Sequence, residues 1–301
     1  MAGSAQVRDT ALGERATMPR GIGPLAGVGR FARRKPLGAA GAVIILLIAL
    51  TAIFADQIAP RRFDKQDIVA RLEPPSAKFV FGTDDLGRDV FSRLVYGARI
   101  SLAVSFGAVA LGLLHGSLWG IVSGYVGGAT DLVVQRVMDG ILSIPLLLMA
   151  MVIVAVLGAS LPNVILAMGF VLTPSVNRVV RSAVLSVKSQ PYIEAARTVG
   201  ARPLRTVVYH VLPNVAPPLI VVSTINLGSA IITESSLSFL GMGVPPPFPT
   251  WGGMLSGTGR SFLQDAPWLA IFPGLVISIT VLAFNLLGDA VRDVLDPRLR
   301  S

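Results

Sequence analysis

Six apolar stretches, each close to twenty residues long, dominate this sequence: 37–55, 98–121, 132–157, 162–185, 215–235 and 267–287. About twenty residues at about 1.5 Å rise cross a hydrocarbon core of about 30 Å. Inside lipid every backbone N–H and C=O needs an internal partner, which leaves helices or a closed barrel. Barrel strands alternate apolar and polar residues, whereas these stretches are continuous. The expected fold class is all-α: a polytopic membrane protein with about six transmembrane helices. Composition agrees, with 52% hydrophobic and 14% charged residues, where a soluble domain carries about a quarter charged. Pro145, Pro174 and the Pro273–Gly274 pair fall inside spans and are expected to kink rather than end them. Gly107, Gly112, Gly116 and Gly120 recur along the second span, a spacing that admits a close neighbour.

The formal charge of +9 is read as loop arginines that hold topology and meet anionic lipid, not as a nucleic-acid surface. There is no cysteine, which excludes disulfides and thiolate chemistry, and His115 and His210 are the only histidines. No metal site and no catalytic nucleophile–base set is expected. The first apolar run starts at Leu37, behind a basic leader ending in RFARRK, so it reads as an uncleaved helix. Lys188, Arg197, Arg202 and Arg205 crowd the 186–212 loop against Glu194, while the 240–266 loop holds only Arg260. The positive-inside rule then makes both termini and the 186–212 loop cytoplasmic. The polar segment 56–97, with its arginines among Asp64, Asp67, Glu73, Asp84, Asp85 and Asp89, is an exception to that rule. The expected organisation is a cytoplasmic tail (1–36), a first helix with an extracytoplasmic segment (37–97), a core (98–290) and a cytoplasmic tail (291–301).

The loop itself reads YIEAARTVGARPLRTVVYHVLPN from residue 192. Pro191 suits a helix start and Gly200 the position past its end. Tyr192, Ala195, Ala196 and Val199 fall on one apolar face, with Glu194 and Arg197 elsewhere. A second short helix is expected from Pro203, ending at Pro213. Helices this short need support. Lipid, the protein's own bundle or a partner could supply it. The small alanine pair favours a partner, because a lipid-seeking helix presents bulkier residues.

The stretch resembles the EAA loop of permease subunits in ABC importers: Glu-Ala-Ala, three residues, Gly, nine residues, then Ile-x-Leu-Pro. Glu194, Ala195, Ala196, Gly200, Leu212 and Pro213 match, and His210 stands at the isoleucine position, a departure similar to the oligopeptide branch. FGTDDLGRDVFSRLVYGARISL (81–102), ESSLSFLGMGVPPPFPTWGGML (234–255) and LGDAVRDVLDPRLR (287–300) resemble the C-type dipeptide and oligopeptide permeases. The resemblance covers about residue 30 to the end.

It implies a permease subunit in the inner or plasma membrane of a prokaryote, with Tyr192, Glu194, Ala195, Ala196, Arg197, Gly200, Leu212 and Pro213 coupling it to an ATPase. The partners implied are a homologous second permease, two ABC ATPase subunits carrying ATP and Mg, an extracytoplasmic substrate-binding protein and membrane lipid. The chain itself binds no cofactor: none of Lys35, Lys65, Lys78 and Lys188 follows a glycine, so no phosphate-cradling P-loop is present. Nickel or glutathione import within the branch, or an ion-driven secondary transporter, are the alternatives. For the translocation path the candidates are Asn226, Glu234 and Asn285. Glu234 also reads as a hydrogen-bonded carboxylate, since a mid-bilayer charge costs about 2.5–3.5 kcal/mol on insertion scales. Asn226 and Asn285 also read as helix–helix bonds. Arg136 and Asp139 are expected to pair one turn apart, His115 to pack between helices, and Trp251, in the Pro-rich external loop, to lie at the membrane interface.

Overall fold

The computed structural model describes residues 31–257 and 261–295. The leader to residue 30, Arg260 and the tail from residue 296 lie outside them. The chain divides after Pro36, and the architecture below is that of the second unit, 37–301.

Five helical runs are long and apolar enough to cross a membrane: α1 (Pro36–Ile53), α3 (Val90–Val126), α6 (Leu161–Lys188), the run Pro203–Phe239, and α11 (Trp268–Leu295). One-turn α2 (Ala55–Ile58) follows α1, and α7 (Pro191–Thr198) follows α6. The run Pro203–Phe239 consists of α8 (Pro203–Thr206), a π turn (Val207–Val211) and α9 (Leu212–Phe239); α10 (Trp251–Leu255) precedes α11. The expected third span is instead two helices, α4 (Gly128–Leu142) and α5 (Leu146–Leu157), bent by 89°. Pro145 is the reason. It keeps the residue before it out of helical geometry and donates no N–H, so α4 closes with Ser143 N–H on Asp139 O and α5 starts from Pro145 with ψ near 130°. The bend opens an apolar cavity of about 690 Å³ lined by Leu111, His115, Trp119, Met138 and Phe170 among others.

The glycine spacing of α3 explains the centre of the bundle. A methyl built on Gly112 would lie 2.8 Å from Leu172 Cβ, on Gly116 2.6 Å from Val176 Cβ, and on Gly120 2.8 Å from Val180 Cβ. Gly124 continues the row against Val184, and Gly169 returns it from α6 against Leu111. Every larger residue here would hold the two backbones apart. The pairing rises in step along both chains, so α3 and α6 run parallel. Parallel neighbours require the chain to return between them, and α4–α5 makes that return. The bent pair is therefore one crossing, and the crossings number six among the described residues.

Other expectations change as well. The second span starts at Val90 rather than residue 98, because the Asp89 carboxylate accepts from Ser92 N–H (2.8 Å) and caps it there. Pro273 and Pro174 lie inside continuous helices. Pro213 does not end the helix begun at Pro203. A π turn precedes it, with Leu212 N–H on Val207 O. The widened turn accommodates a ring that would otherwise strike the carbonyl four residues back. Asp139 bonds Arg178 on α6 (2.9 Å) instead of pairing with Arg136, and Asp131 accepts from Nε and Nη2 of Arg181 (2.6 Å each).

The bundle has two distinct ends. At one, α1 finishes beside α3: Arg99 donates to Ala52 O (2.9 Å), Ile53 O (3.1 Å) and Asp56 (3.1 Å). The segment leading to α3 carries little regular structure and is stitched by polar groups. Asp84 accepts from Leu86 N, Arg88 N and Arg88 Nε (2.7–3.0 Å), Arg93 reaches Phe63 O (3.2 Å), and the Trp268 indole donates to Thr83 O (3.1 Å). The same end holds α10 and the close of α9. At the other end lie the close of α3, the close of α6, α7 and the π turn.

Asp56 lies outside the spans and accepts from Tyr96 Oη (2.8 Å). That bond, then Arg99, holds its carboxyl below the usual value of 3.8. A depressed carboxylate contributes stability that is complete above the unfolded value and is lost as pH falls through the lower folded value. In Tyr96→Phe the Asp56 titration, followed by carboxyl-carbon NMR, should move back up toward 3.8. An unmoved titration would mean that the Tyr96 bond does not set it.

Candidate functional site

The site is built on α7. Pro191 opens the helix without losing a bond, since first-turn N–H groups have no helical acceptor. Its end is a Schellman motif: Gly200 N–H bonds Arg197 O (2.9 Å) and Ala201 N–H bonds Ala196 O (3.0 Å). Gly200 sits at φ +80° with nothing near a built Cβ. Glycine is required there by backbone conformation, not by space.

The apolar face expected from spacing is turned outward. Val199 is 85% exposed and Tyr192 45%, Ala195 is exposed and Ala196 half-buried. The buried anchor is Ile193, with no exposed surface. Glu194 and Arg197 are exposed. The opening helices of the next span continue the outward surface: Leu204 is 75% and Tyr209 70% exposed, and Leu212 and Pro213 are also exposed. Asn214 joins the two parts, donating to His210 O (2.7 Å) and, at 3.4 Å, to Tyr192 Oη. The structure thus gathers the sequence-selected residues from 192 to 213 at one end of the bundle and leaves most of them uncovered.

Two neighbours were not found from sequence. Arg197 lies 5.4 Å from the Tyr125 ring centroid, and Lys188 donates to Tyr125 O at 2.6 Å. Tyr125 is more than sixty positions before either cation, and no local pattern announces it. Ile193 was readable only by knowing which side of α7 faces the bundle.

The three path candidates lie on α9 and α11. Glu234, one of the later residues of α9, has no exposed surface; Ser238 Oγ donates to Oε1 (2.8 Å) and Oε2 has no protein partner. Asn226, two turns earlier, is buried with Nδ2 unpartnered, and Asn285 on α11 is exposed with Oδ1 against Gly228. His115 lines the cavity of the bend and its Nδ1 is 3.1 Å from Leu111 O. Among the described residues no group of three His, Cys, Asp or Glu is placed to hold a metal ion.

Trp251 corrects another expectation. It is fully buried instead of interfacial: its indole donates to Leu94 O (3.1 Å) and its backbone N–H to Ser101 Oγ (3.3 Å). Gly97 gives the ring room on α3, and Gly252 lies against the Ser235 backbone. Trp251→Phe should cost about 1 kcal/mol through the lost indole bond, and Trp251→Ala about 3–5 kcal/mol through the cavity. Thermal unfolding of the purified protein checks both. Equal melting of Phe and Ala variants would contradict the buried placement.

Residues 116–301 match the family model of the binding-protein-dependent transport system inner membrane component. The chain belongs to that family. Residues 24–75 also match the N-terminal transmembrane domain of oligopeptide transport permease C. Among curated members of this permease group, the dipeptide transport system permease protein DppC of Alkalihalophilus pseudofirmus is 43% identical over 89% of this chain and 88% of its own length. The oligopeptide transport system permease protein OppC of Bacillus subtilis is 41% identical over 89% and 88%. The glutathione transport system permease protein GsiD of Pectobacterium atrosepticum is 42% identical over 90% of both chains. The family is one of transport permeases, and a multi-pass membrane subunit is what the six crossings build.

Proposed function

We propose that this permease is one membrane-spanning subunit of an ATP-driven importer for dipeptides or oligopeptides. α7 is its coupling helix, and the single observation that carries this reading is the outward apolar face of α7 and its continuation through Leu204 and Tyr209. A short helix with one buried residue, Ile193, and presenting Tyr192, Ala195 and Val199 to the outside has the shape of a stud for a cleft. Small side chains at its centre let a partner's backbone approach. The cleft belongs to an ATPase subunit, two of which hold ATP and Mg. A homologous permease completes the pore, and an extracytoplasmic binding protein delivers the peptide.

The α7 end is cytoplasmic in this reading, with the tails 1–36 and 291–301 on that side and the membrane that of a prokaryotic cell. The arginines of the 56–97 segment then lie outside, where carboxylates engage three of them: Asp84 takes Arg88 and Arg93, and Asp64 takes Arg62. Asn226, Glu234 and Asn285 are the path candidates. Glu234 and Asn226 are covered in this arrangement and meet solute only if α9 moves away from its neighbours. ATP closes the ATPase pair, the coupling helices follow their clefts, and the spans shift between two access states by differential binding.

Proteoliposomes containing the co-purified complex and its binding protein test the reading. Uptake of labelled dialanine should require ATP and survive collapse of proton and sodium gradients. Uptake that follows an ion gradient and ignores ATP would overturn it.

A further inference from the structure

Tyr125 lies where three helices end. It is the second-last residue of α3, half-buried, and two cations flank its ring: Arg197 of α7 at 5.4 Å and Lys188, the last residue of α6, at 5.8 Å from the centroid. Lys188 also donates to the Tyr125 carbonyl at 2.6 Å. That carbonyl belongs to the last turn of α3, where oxygens lack helical donors and the dipole is negative. A cation there is held by geometry and by field together.

The second tether of α7 goes elsewhere. Tyr192 Oη accepts from Asn214 at 3.4 Å, and its ring lies 6.2 Å from that of His210. This leads through the π turn into α9. Arg197 on Tyr125 instead leads into α3, which is locked to α6 by the glycine row from Gly112 to Gly124. A displacement of α7 that reaches Tyr125 therefore moves two helices, whereas one that passes only through Asn214 moves α9.

We propose that Tyr125 is a positioning residue of the coupling apparatus, transmitting movement of α7 to the α3–α6 pair through its ring. The inference rests on the reading of α7 as the coupling helix. Its chemistry is specific: the ring face attracts the guanidinium, and the hydroxyl is not part of the contact. Phenylalanine can replace it and a branched aliphatic residue cannot.

The test uses the same proteoliposomes, with ATP hydrolysis and dialanine uptake measured on one preparation. Tyr125→Leu should lower uptake per ATP hydrolysed about fivefold to tenfold, with Tyr125→Phe within about twofold of the parent. Arg197→Gln should lower the ratio similarly, and the double variant should add little to either single change. A merely structural tyrosine would lower the amount of assembled complex and leave the ratio alone. An unchanged ratio in Tyr125→Leu overturns the proposal. If that variant does not assemble, Arg197→Gln against Arg197→Lys decides: equal ratios in both overturn it. A parent complex without ATP-dependent uptake defeats the reading of the transporter itself, a result distinct from a working parent matched by a working Tyr125→Leu.

Discussion

Gly116→Leu is expected to separate α3 from α6 and to destabilise the bundle strongly. Even the first added carbon would lie 2.6 Å from Val176 Cβ and 2.8 Å from Thr173 O, closer than real side chains come. The neighbours are a β-branched Cβ and a backbone oxygen, neither of which can swing aside. Gly116→Ala should already cost about 1–3 kcal/mol, the usual range for overpacking, and leucine more. Gly140→Ala is the control: it lies in α4 and, beyond its own helical turn, none of the described residues comes within 4 Å of a built Cβ, so helix propensity alone acts and favours alanine by up to about 1 kcal/mol. Thermal unfolding of the purified permease, with immunoblotting of membrane fractions, reads both. If Gly116→Leu melted with the parent, the close approach of the two helices would be wrong.

Gly200→Pro should abolish ATP-driven uptake while membrane insertion survives. Proline fixes φ near −65° and has no N–H, whereas Gly200 sits at φ +80° and its N–H closes the Schellman motif on Arg197 O. Both the turn and its bond are lost, and the end of α7 with them. Gly200→Ala keeps the N–H and costs about 1–2 kcal/mol for the left-handed conformation alone. It should therefore lower uptake by a smaller factor, with ATP hydrolysis less affected than transport. The variants differ at one exposed position outside the crossings, so equal protein levels are expected. Normal uptake by Gly200→Pro would remove α7 from the mechanism.

The crossings could be read from sequence because lipid imposes one length and one composition on them. The helix at Pro191 and its stop at Gly200 could be read because proline and glycine punctuate locally. What escaped depends on partners distant in sequence. Pro145 looks the same on paper whether it kinks a helix or splits it into α4 and α5, and it is the parallel packing of α3 on α6 that makes the two pieces one crossing. Residue type alone puts Trp251 at an interface, yet Gly97 on α3 leaves room for its ring and Gly252, beside it on α10, lets that helix lie against the Ser235 backbone of α9. Pro213 reads as a stop unless the wide turn before it is known. The apolar stripe of α7 is legible from spacing, and its small alanine pair favours an outward partner; that Ile193, equally apolar and beside the stripe, takes the inward position depends on the bundle. Glu234 is legible in part: its reading as a hydrogen-bonded carboxylate is met by Ser238, one turn on along α9, whereas its complete burial depends on the helices packed around it.

The glycine row of α3 also fixes which displacements the bundle tolerates. Gly112, Gly116, Gly120 and Gly124 repeat every fourth residue, and so do Leu172, Val176, Val180 and Val184 opposite them. Sliding one helix past the other by a single position would press those side chains onto residues that do have a Cβ. The next register in which notch meets tooth lies four residues along, about 6 Å away. Between these settings the two rods cannot creep, and so they travel together as a single stiff lever.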